Sequence, residues 1–205
     1  MSYKKISTIT ILLLAAGESS RLGEPKQLLN FDGKMLLQHF IDISINSLAE
    51  SVILILGAYG QTIQNKLDAQ KIHVVHNLNW KDGLSSSISV GLNCALELNP
   101  QTEAVVLVLC DQPYLTTAIL NEIINKHINS DKPIVNCQYS YTNGPPTLFH
   151  KRMFSHLRDL ESSHGAKSVV SKFIQEVASI EFPNGHIDID TRTDYTNFIF
   201  NYVDS

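Results

Sequence analysis

Cysteine is scarce in this 205-residue chain, and the few cysteines present do not form an obvious pair. Cys94, Cys110 and Cys137 lie far apart in the sequence and are odd in number. This pattern excludes a disulfide framework of the kind found in small secreted domains, and it lacks the close cysteine pair of a zinc knuckle. We therefore expect a reducing, cytoplasmic environment for the protein.

Long apolar runs are also missing from the sequence. No stretch approaches the roughly 18 consecutive apolar residues that a membrane-spanning helix needs, so we expect no membrane partner. One run, 9–16, follows Lys4 and Lys5 and imitates a short signal peptide. Its isoleucines are typical of a buried strand, and the residues after it do not look like a cleavage site. We interpret the run as a strand and expect no targeting segment.

An excess of positive charge is absent as well. Sixteen lysines and arginines stand against 20 aspartates and glutamates, which gives a formal net charge of -4. This balance excludes a protein that neutralises nucleic-acid phosphates over a broad surface, so we expect no nucleic-acid partner. With 43% hydrophobic residues, 10 glycines and 7 prolines, the chain is not disordered, collagen-like or a long coiled coil. Its length fits one domain that spans residues 1–205.

Short apolar runs alternate with helical patterns along the chain. This alternation predicts an α/β, Rossmann-like fold with a mostly parallel sheet and helices on both of its faces. The predicted strands are 8–15, 51–57, 72–75, 104–110, 133–138 and 177–182. The predicted helices are 35–48, 84–98, 116–128, 153–160, 166–174 and 193–203. The segment 143–146, Asn-Gly-Pro-Pro, is predicted to form a turn that separates the core from a subsidiary lobe.

The loop after the first predicted strand has the composition of a phosphate site. Ligands of such folds bind at the carboxyl ends of the strands, and small residues let backbone N–H groups approach phosphate oxygens. Arg21 and Lys26 add positive charge to this loop. It contains neither the Gly-x-Gly-x-x-Gly dinucleotide motif nor a Walker A motif. The alternative interpretation is an ordinary turn with two solvated cations.

Two acidic segments supply candidate metal ligands. Asp111 follows a buried strand, and a proline stands two residues after it, so Asp111 either holds Mg²⁺ against phosphate oxygens or caps a helix or turn. Asp188 and Asp190 lie on the same side of an extended segment, which leaves both as candidate ligands on the residues alone. We interpret Asp194 as a first-turn carboxylate of the last helix, which Thr191 or Thr193 caps.

Two further segments hold polar residues near predicted strand ends. The segment 76–91 is a polar loop that enters a helix, with three consecutive serines at the helix start, and Trp80 is either a packing anchor or a wall of the site. His150, His156 and His164 are spaced across a turn without a standard metal-ligand pattern, so we expect solvated histidines.

These motifs together resemble a known enzyme family. The pattern Leu-Ala-Ala-Gly-x-x-x-Arg-x-Gly-x-x-Lys at 14–26 resembles the signature loop of nucleotidyltransferases with a nucleotide-diphospho-sugar transferase-like fold. The Cys-Asp-Gln-Pro segment at 110–113 resembles the metal-binding strand end of the molybdenum cofactor cytidylyltransferase-like members, and 186–194 resembles their second acidic segment. Five such segments occur in the family's order from residue 14 to about residue 195.

The resemblance implies roles for individual residues. Arg21, Lys26 and Asp111 would be catalytic, with Asp111 and Asp190 as magnesium ligands. Cys110 would lie in the core or behind the site. The residues implied to bind the nucleotide are Leu14, Ala15, Ala16, Gly17, Arg21, Lys26, Gly83, Ser86 and Ser87.

The region implied to bind the second substrate, 143–150 followed by 160–167, departs from the family's pattern. Ser162 and Ser163 replace a Gly-Asp pair, and Lys167 replaces an arginine. These changes put the acceptor contacts in doubt and are the only support for a non-catalytic, nucleotide-binding cofactor chaperone.

The resemblance predicts a Mg²⁺-dependent transfer of a nucleoside monophosphate to a phosphorylated acceptor. It favours CTP over GTP, because two alanines precede Gly17, and it implies molybdopterin as acceptor, with a molybdenum hydroxylase as a client. A guanylyltransferase on the same cofactor and a cytidylyltransferase on a sugar or polyol phosphate remain alternatives. A receiver domain with Asp111 as phospho-acceptor is a poorer one, since it leaves Arg21 unexplained.

Overall fold

A seven-stranded sheet forms the centre of the computed structural model, which describes residues 8–67, 71–160 and 165–203. Its order is β5-β4-β1-β6-β8-β7-β9, and a separate short hairpin consists of β2 and β3. The strands are β1 (Ile9–Ala15), β2 (Asn30–Phe31), β3 (Lys34–Met35), β4 (Ser51–Leu56), β5 (His73–His76), β6 (Ala104–Leu109), β7 (Ile134–Tyr139), β8 (Thr142–His150) and β9 (Val177–Glu181).

Helices cover both faces of this sheet. They are α1 (Leu36–Ile45), α2 (Gly60–Gln64), α3 (Leu84–Leu98), α4 (Thr117–Asn129), α5 (Phe154–Arg158), α6 (Lys167–Lys172) and α7 (Arg192–Val203). Sequence analysis missed α2, whose single turn is too short for a periodic signal, and it predicted α5 and α6 to be longer than they are. Among the described helices, none is long and apolar enough to cross a membrane.

The sheet is parallel apart from β8, which runs antiparallel to both β6 and β7. The predicted α/β fold class, a mostly parallel sheet with helices on both faces, is therefore confirmed. In β1, alternate residues face opposite layers: Ile11 and Leu13 pack towards α1 and α4, whereas Leu12 and Leu14 pack towards α3. All four are buried, which explains why the strand is continuously apolar instead of alternating.

The prediction of a turn at 143–146 was wrong, because this segment lies inside β8. The chain reverses instead at Ser140 and Tyr141, both with positive φ (44° and 61°), in a two-residue hairpin loop between β7 and β8. Sequence analysis missed this loop because Ser-Tyr is not a usual sequence for it. The prolines lack a backbone N–H, and β8 tolerates them because its pairing with β6 begins only at Thr147. No lobe separates here, and the hairpin instead forms a wall at the carboxyl edge of the sheet.

A pair of histidines at the opposite end of the sheet predicts acid sensitivity. The His127 and His150 rings lie 5.6 Å apart, and burial lowers the pKa of both. Arg152 lowers both pKa values further, whereas Glu103 opposes the shift. A lowered folded-state pKa means that these histidines bind protons more readily in the unfolded chain. The free energy of unfolding therefore has its full contribution from the pair above about pH 6.5, and it falls as the pH drops below that value.

We therefore expect urea unfolding at pH 5.5 to show a smaller free energy than at pH 7.5, and His127→Gln to reduce this difference. Comparing the two proteins at each pH cancels the contributions of other titrating groups. An unchanged difference in His127→Gln would show that the histidine pair is not responsible.

Candidate active site

The loop after β1 is held in shape by a buried glutamine. Gln27 is 2% exposed, and its Nε2 donates hydrogen bonds to the carbonyl oxygens of Ala15 (2.8 Å) and Gly17 (3.1 Å). Ser19, with φ of 56°, accepts a hydrogen bond at its Oγ from the backbone N–H of Lys26 (3.2 Å). These bonds fix the backbone from which the cationic side chains project. Sequence analysis missed Gln27 and Ser19, because a lone amide or hydroxyl in a loop gives no periodic or charge signal.

Arg21 and Lys26 converge on one carboxylate. Arg21 Nη2 lies 2.9 Å from Asp190 Oδ2, and Lys26 Nζ lies 2.9 Å from Asp190 Oδ1. The two cations differ in exposure: the Arg21 side chain is 70% exposed, whereas that of Lys26 is 15% exposed. Burial raises the pKa of Asp190, but the hydrogen bond and charge of Lys26, with those of Arg21, outweigh burial and lower it overall. The loop after β1 and the distant acidic segment thus meet at one point.

Asp111 sits beside this cluster, two residues after the end of β6. Its Oδ1 is buried and has no hydrogen-bond partner among the residues that the structure describes. Burial raises the pKa of Asp111 to about 6; Lys26 opposes this shift, and the charges of Asp188 and Asp190 add to it. Burial, followed by the charge of Asp190, also raises the pKa of Asp188. Crowded carboxylates with a bare oxygen are the arrangement that a hard divalent cation relieves.

The second acidic segment is anchored by backbone and capping bonds. The backbone N–H of Ile189 donates to the carbonyl oxygen of Asp111 (2.8 Å), and the Ile189 side chain is fully buried. Asp194 Oδ2 accepts from the backbone N–H of Thr191 (2.8 Å), while the Asp194 N–H donates to Thr191 Oγ1 (3.2 Å). This reciprocal pair is a capping box at the start of α7. Asp194 is therefore a first-turn carboxylate of α7, as predicted, and Thr191, one of the two predicted capping residues, caps the helix.

Asn77 organises the loop that precedes α3. Its Nδ2 donates to the hydroxyl oxygens of Ser86 (2.8 Å) and Ser87 (3.0 Å). The Ser86 hydroxyl also lies within hydrogen-bond distance of the carbonyl oxygens of Asn79 and Gly83. Gly83 has φ of +90° directly before the helix, a conformation that a side chain would strain. Ser86 thus stiffens the loop, and its contact with a nucleotide stays a prediction.

Trp80 joins this loop to the loop after β1. A Cβ on Gly57 would lie 2.6 Å from Trp80 Cβ and 2.7 Å from the carbonyl oxygen of Ala16, so the absence of a side chain lets the three segments approach. The Trp80 ring packs against the apolar layer beneath α3 and also lines the cavity described next. Trp80 is therefore a packing anchor that also lines the cavity, and its contact with a nucleotide stays a prediction.

These segments enclose a cavity of about 340 Å³ at the carboxyl edge of the sheet. Of the residues predicted to form the site, all but Ser86 are among those that line it. They are Leu14, Ala15, Ala16, Gly17, Arg21, Lys26, Gly83, Ser87, Asp111 and Asp190. Cys110, buried at the end of β6, also reaches the wall.

A second cavity of about 340 Å³ adjoins the first, and Leu14, Leu84 and Leu109 line both. Its other walls come from the β7–β8 hairpin and from α6, which includes Lys167. This is the region predicted to bind the acceptor. Ser162, Ser163 and His164, singled out in the sequence, lie outside the described residues.

The residues present fit a metal ion that is bound partly by substrate phosphates better than a metal ion that is bound by protein ligands alone. Over the described ranges, no group of three or more His, Cys, Asp or Glu side chains is arranged to hold a metal ion by itself. Mg²⁺ is usually bound by one or two carboxylates together with substrate phosphates. The orphaned Oδ1 of Asp111 and the carboxylate of Asp190 supply such a pair of oxygen ligands.

A protein-family model described as the MobA-like NTP transferase domain matches residues 11–177. The nicotine blue oxidoreductase of Paenarthrobacter nicotinovorans is 29% identical over 151 residues, 72% of this chain and 70% of that protein. The molybdenum cofactor cytidylyltransferase of Escherichia coli is 25% identical over 193 residues, 93% and 95% of the two chains. A probable molybdenum cofactor guanylyltransferase of Flavobacterium johnsoniae is 24% identical over 178 residues, 86% and 87% of the two chains.

Solved structures share the fold over nearly the whole length. Rv0371c of Mycobacterium tuberculosis H37Rv superposes with a TM-score of 0.83 at 28% identity and covers 96% of this chain and 100% of its own. A structure of the same protein in complex with manganese has a TM-score of 0.79 at 26% identity and covers 95% and 99% of the two chains.

Proposed function

Because the chain belongs to the MobA-like NTP transferase family, we propose that it transfers a nucleoside monophosphate from a nucleoside triphosphate to an acceptor phosphate and releases pyrophosphate. One observation carries the proposal: Arg21, Lys26, Asp111 and Asp190, which are far apart in sequence, line one cavity together with the backbone of the loop after β1. Cations and loop amides suit a triphosphate, and the carboxylates suit its divalent counter-ion.

The chemistry needs positioning and charge neutralisation rather than a protein nucleophile. An oxygen of the acceptor phosphate attacks the α-phosphorus of the nucleotide; a new P–O bond forms, the bond to the leaving pyrophosphate breaks, and the pyrophosphate keeps the electron pair. The acceptor phosphate is already anionic at neutral pH, so no general base is required. Arg21 and Lys26 then stabilise the negative charge that builds on the α-phosphate and the pyrophosphate.

Asp111 and Asp190 would hold the divalent ion, for which we propose Mg²⁺. Bound there, the ion would neutralise phosphate charge beside the reacting centre. In the protein without ligands, Asp190 instead pairs with Arg21 and Lys26. When the nucleotide binds with its ion, Arg21 and Lys26 would pair with phosphate oxygens instead of Asp190. We therefore expect cooperative binding: the nucleotide should bind more tightly when the metal is present, and the metal more tightly when the nucleotide is present.

For the substrates we propose CTP and a molybdopterin-type acceptor. The resemblance of the Ala-Ala-Gly loop to cytidylyl members favours CTP, and so does the name of the Escherichia coli relative. GTP is the alternative, which the name of the Flavobacterium johnsoniae relative supports. Docking of a molybdenum hydroxylase client stays a prediction.

Trp80 provides the measurement that tests this proposal, because it is the single tryptophan of the chain and lines the cavity. We expect its fluorescence to change on titration with CTP, with weaker binding when Mg²⁺ is omitted, and GTP to bind less tightly. A thermal-shift titration in parallel detects binding that leaves the fluorescence unchanged. Preference for GTP would move the assignment to guanylyl transfer, and no response to either nucleotide in either assay would contradict the proposal.

A further inference from the structure

The connection between β9 and α7, residues 182–191, carries Asp188 and Asp190 but belongs to no helix or strand. An irregular connection lacks the regular series of backbone hydrogen bonds that fixes a strand or a helix. Its position therefore depends on individual bonds to the elements beside it. The place of the Asp190 carboxylate rests on the groups that hold this connection against the end of β6.

Two consecutive residues, Asp111 and Gln112, hold the β9–α7 connection at two points. Gln112 is 2% exposed, and its Nε2 donates a hydrogen bond to the carbonyl oxygen of Gly185 (2.5 Å). The carbonyl oxygen of Asp111 accepts a hydrogen bond from the backbone N–H of Ile189 (2.8 Å). The stretch 185–189 is thus bound at its first and its last residue to the dipeptide that also supplies the Asp111 carboxylate.

Tyr139 approaches the same amide from the β7–β8 hairpin. Its hydroxyl oxygen accepts a second, longer hydrogen bond from Gln112 Nε2 (3.3 Å). The Tyr139 ring also packs so closely on Gly185 that a Cβ at this glycine would overlap it. One donor nitrogen therefore faces an acceptor of the β9–α7 connection and an acceptor of the hairpin, and the shorter bond is the one to Gly185.

The Gln112 amide makes these bonds while its own oxygen stays unpaired. Oε1 is buried and has no hydrogen-bond partner in the described part of the chain. Turning the amide over would place Oε1 against the Gly185 carbonyl oxygen, and neither oxygen has a hydrogen to donate. A buried polar atom without a partner lowers stability, and an apolar side chain of the same length would avoid that cost. What the amide supplies is therefore its hold on the β9–α7 connection.

This hold bears on the spacing of the two carboxylates that would bind the metal. Asp190 comes directly after Ile189, and Asp111 directly before Gln112. Releasing Gly185 would free the first end of the stretch 185–189 and let Asp190 shift relative to Asp111. Groups behind the metal ligands orient them, and the loss of such a group typically lowers metal affinity by a factor of about 10 to 100.

We propose that Gln112 is a positioning residue of the metal site, whose amide holds the β9–α7 connection at Gly185 and so fixes the distance between the Asp111 and Asp190 carboxylates. Gln112 is not among the residues that line the first cavity, so it acts through these carboxylates and not on the nucleotide. The inference rests on the proposed function, because it takes Asp111 and Asp190 as the ligands of the divalent ion.

The strengthening of CTP binding by Mg²⁺ measures this role on the full chain. Calorimetric titrations with CTP, in Mg²⁺ and in a chelator, give one affinity that uses the metal carboxylates and one that does not. We expect Gln112→Met to weaken CTP binding about tenfold in Mg²⁺ and less than twofold in the chelator, because Arg21 and Lys26 remain in place. GTP replaces CTP if the wild-type protein prefers it.

Gln112→Asn is the second variant, for use if methionine disturbs the fold. Its side chain keeps an amide but is one methylene shorter, so it cannot reach Gly185 and should lose the effect of Mg²⁺ as well. Tyr139→Phe removes the longer bond and keeps the shorter one, and we expect it to change the effect of Mg²⁺ less than twofold. A Tyr139→Phe protein that loses as much as Gln112→Met would overturn the role assigned to the Gly185 contact.

Thr102→Val is the matched control for the loss of a buried hydrogen bond. Thr102 is also 2% exposed, and its Oγ1 donates to the carbonyl oxygen of Asn99 (2.7 Å), outside the residues that line either cavity. This variant should lower the melting temperature and leave the effect of Mg²⁺ on CTP binding unchanged. If it reduced the effect of Mg²⁺ as much as Gln112→Met does, a general loss of stability would account for both, and the inference would fail.

The wild-type protein separates this inference from the proposed function. If Mg²⁺ strengthens CTP binding equally in the wild type and in the Gln112 variants, the inference is overturned and the proposed function stands. Weakening of CTP binding by the same factor in Mg²⁺ and in the chelator overturns it too, since that pattern is structural. If the wild-type protein binds neither nucleotide, or binds it equally well without metal, the metal site of the proposed function fails and the inference fails with it.

Discussion

Replacing Asp111 with asparagine is expected to slow pyrophosphate release by a factor of about 100 or more and, at the same time, to raise the melting temperature of the metal-free protein. The loss of rate follows from the loss of a negatively charged oxygen ligand next to the phosphates. The gain in stability follows from burial, which raises the pKa of Asp111 to about 6 and shows that its charge is unfavourable in the folded state.

The size of the stability effect depends on pH. Because the folded-state pKa of Asp111 is raised, the wild-type protein loses stability as the pH rises from about 4 to about 6. Above pH 6 the buried charge lowers the free energy of unfolding by its full amount, about 1–3 kcal/mol. Asparagine cannot ionise and avoids this penalty. The difference in melting temperature between variant and wild type should therefore be largest above pH 6 and disappear near pH 4.

Asp42→Asn is the matched control for this experiment. Burial raises the pKa of Asp42, but hydrogen bonds from Lys34 and Gln38 outweigh it, so the pKa is lowered overall. Removing this carboxylate should destabilise the protein slightly and leave turnover unchanged. A fully active Asp111→Asn enzyme would contradict the role of Asp111 in the reaction, and a lowered melting temperature would contradict the penalty derived from its burial.

Replacing Lys26 with methionine is expected to reduce turnover by a factor of about 100 to 1000. Its ammonium group is largely shielded from water, so its charge acts on nearby phosphates with little screening. The same group holds Asp190 at 2.9 Å and opposes the rise in the pKa of Asp111. Arg21→Met should have a smaller effect, because the Arg21 side chain is 70% exposed and its charge is better screened.

Steady-state kinetics of both variants, with kcat and KM separated, would test this order. Lys34→Met is the matched control, since Lys34 forms an exposed ion pair with Asp42 at 2.8 Å outside the residues that line the cavity. Such surface pairs contribute little, so turnover should remain at the wild-type level. A Lys26→Met variant as active as Lys34→Met would contradict the assigned role of Lys26.

The sequence by itself determined the fold class and the main chemical groups of the site. Buried strands such as β1 can be predicted from the sequence, because a short, continuous apolar run between helical segments is typical of a parallel strand that helices cover on both faces. Arg21, Lys26 and Asp111 stand out for a related reason: they lie in the loops that follow the carboxyl ends of such strands, where ligands of this fold class bind. The family resemblance then added Asp190 to this set.

Only the tertiary structure decided which partners these groups have. The contact of Asp190 with Lys26 joins residues 164 positions apart, and no local pattern encodes such a pairing. The same holds for Gln27, whose importance comes from the two backbone carbonyl oxygens to which it donates hydrogen bonds. Strand β8 was missed because local turn chemistry favoured a reversal at the prolines, whereas strand pairing over the whole hairpin placed the reversal at Ser140 and Tyr141. Periodicity and composition report local preferences, but hydrogen-bond satisfaction and burial depend on groups brought together from the entire chain.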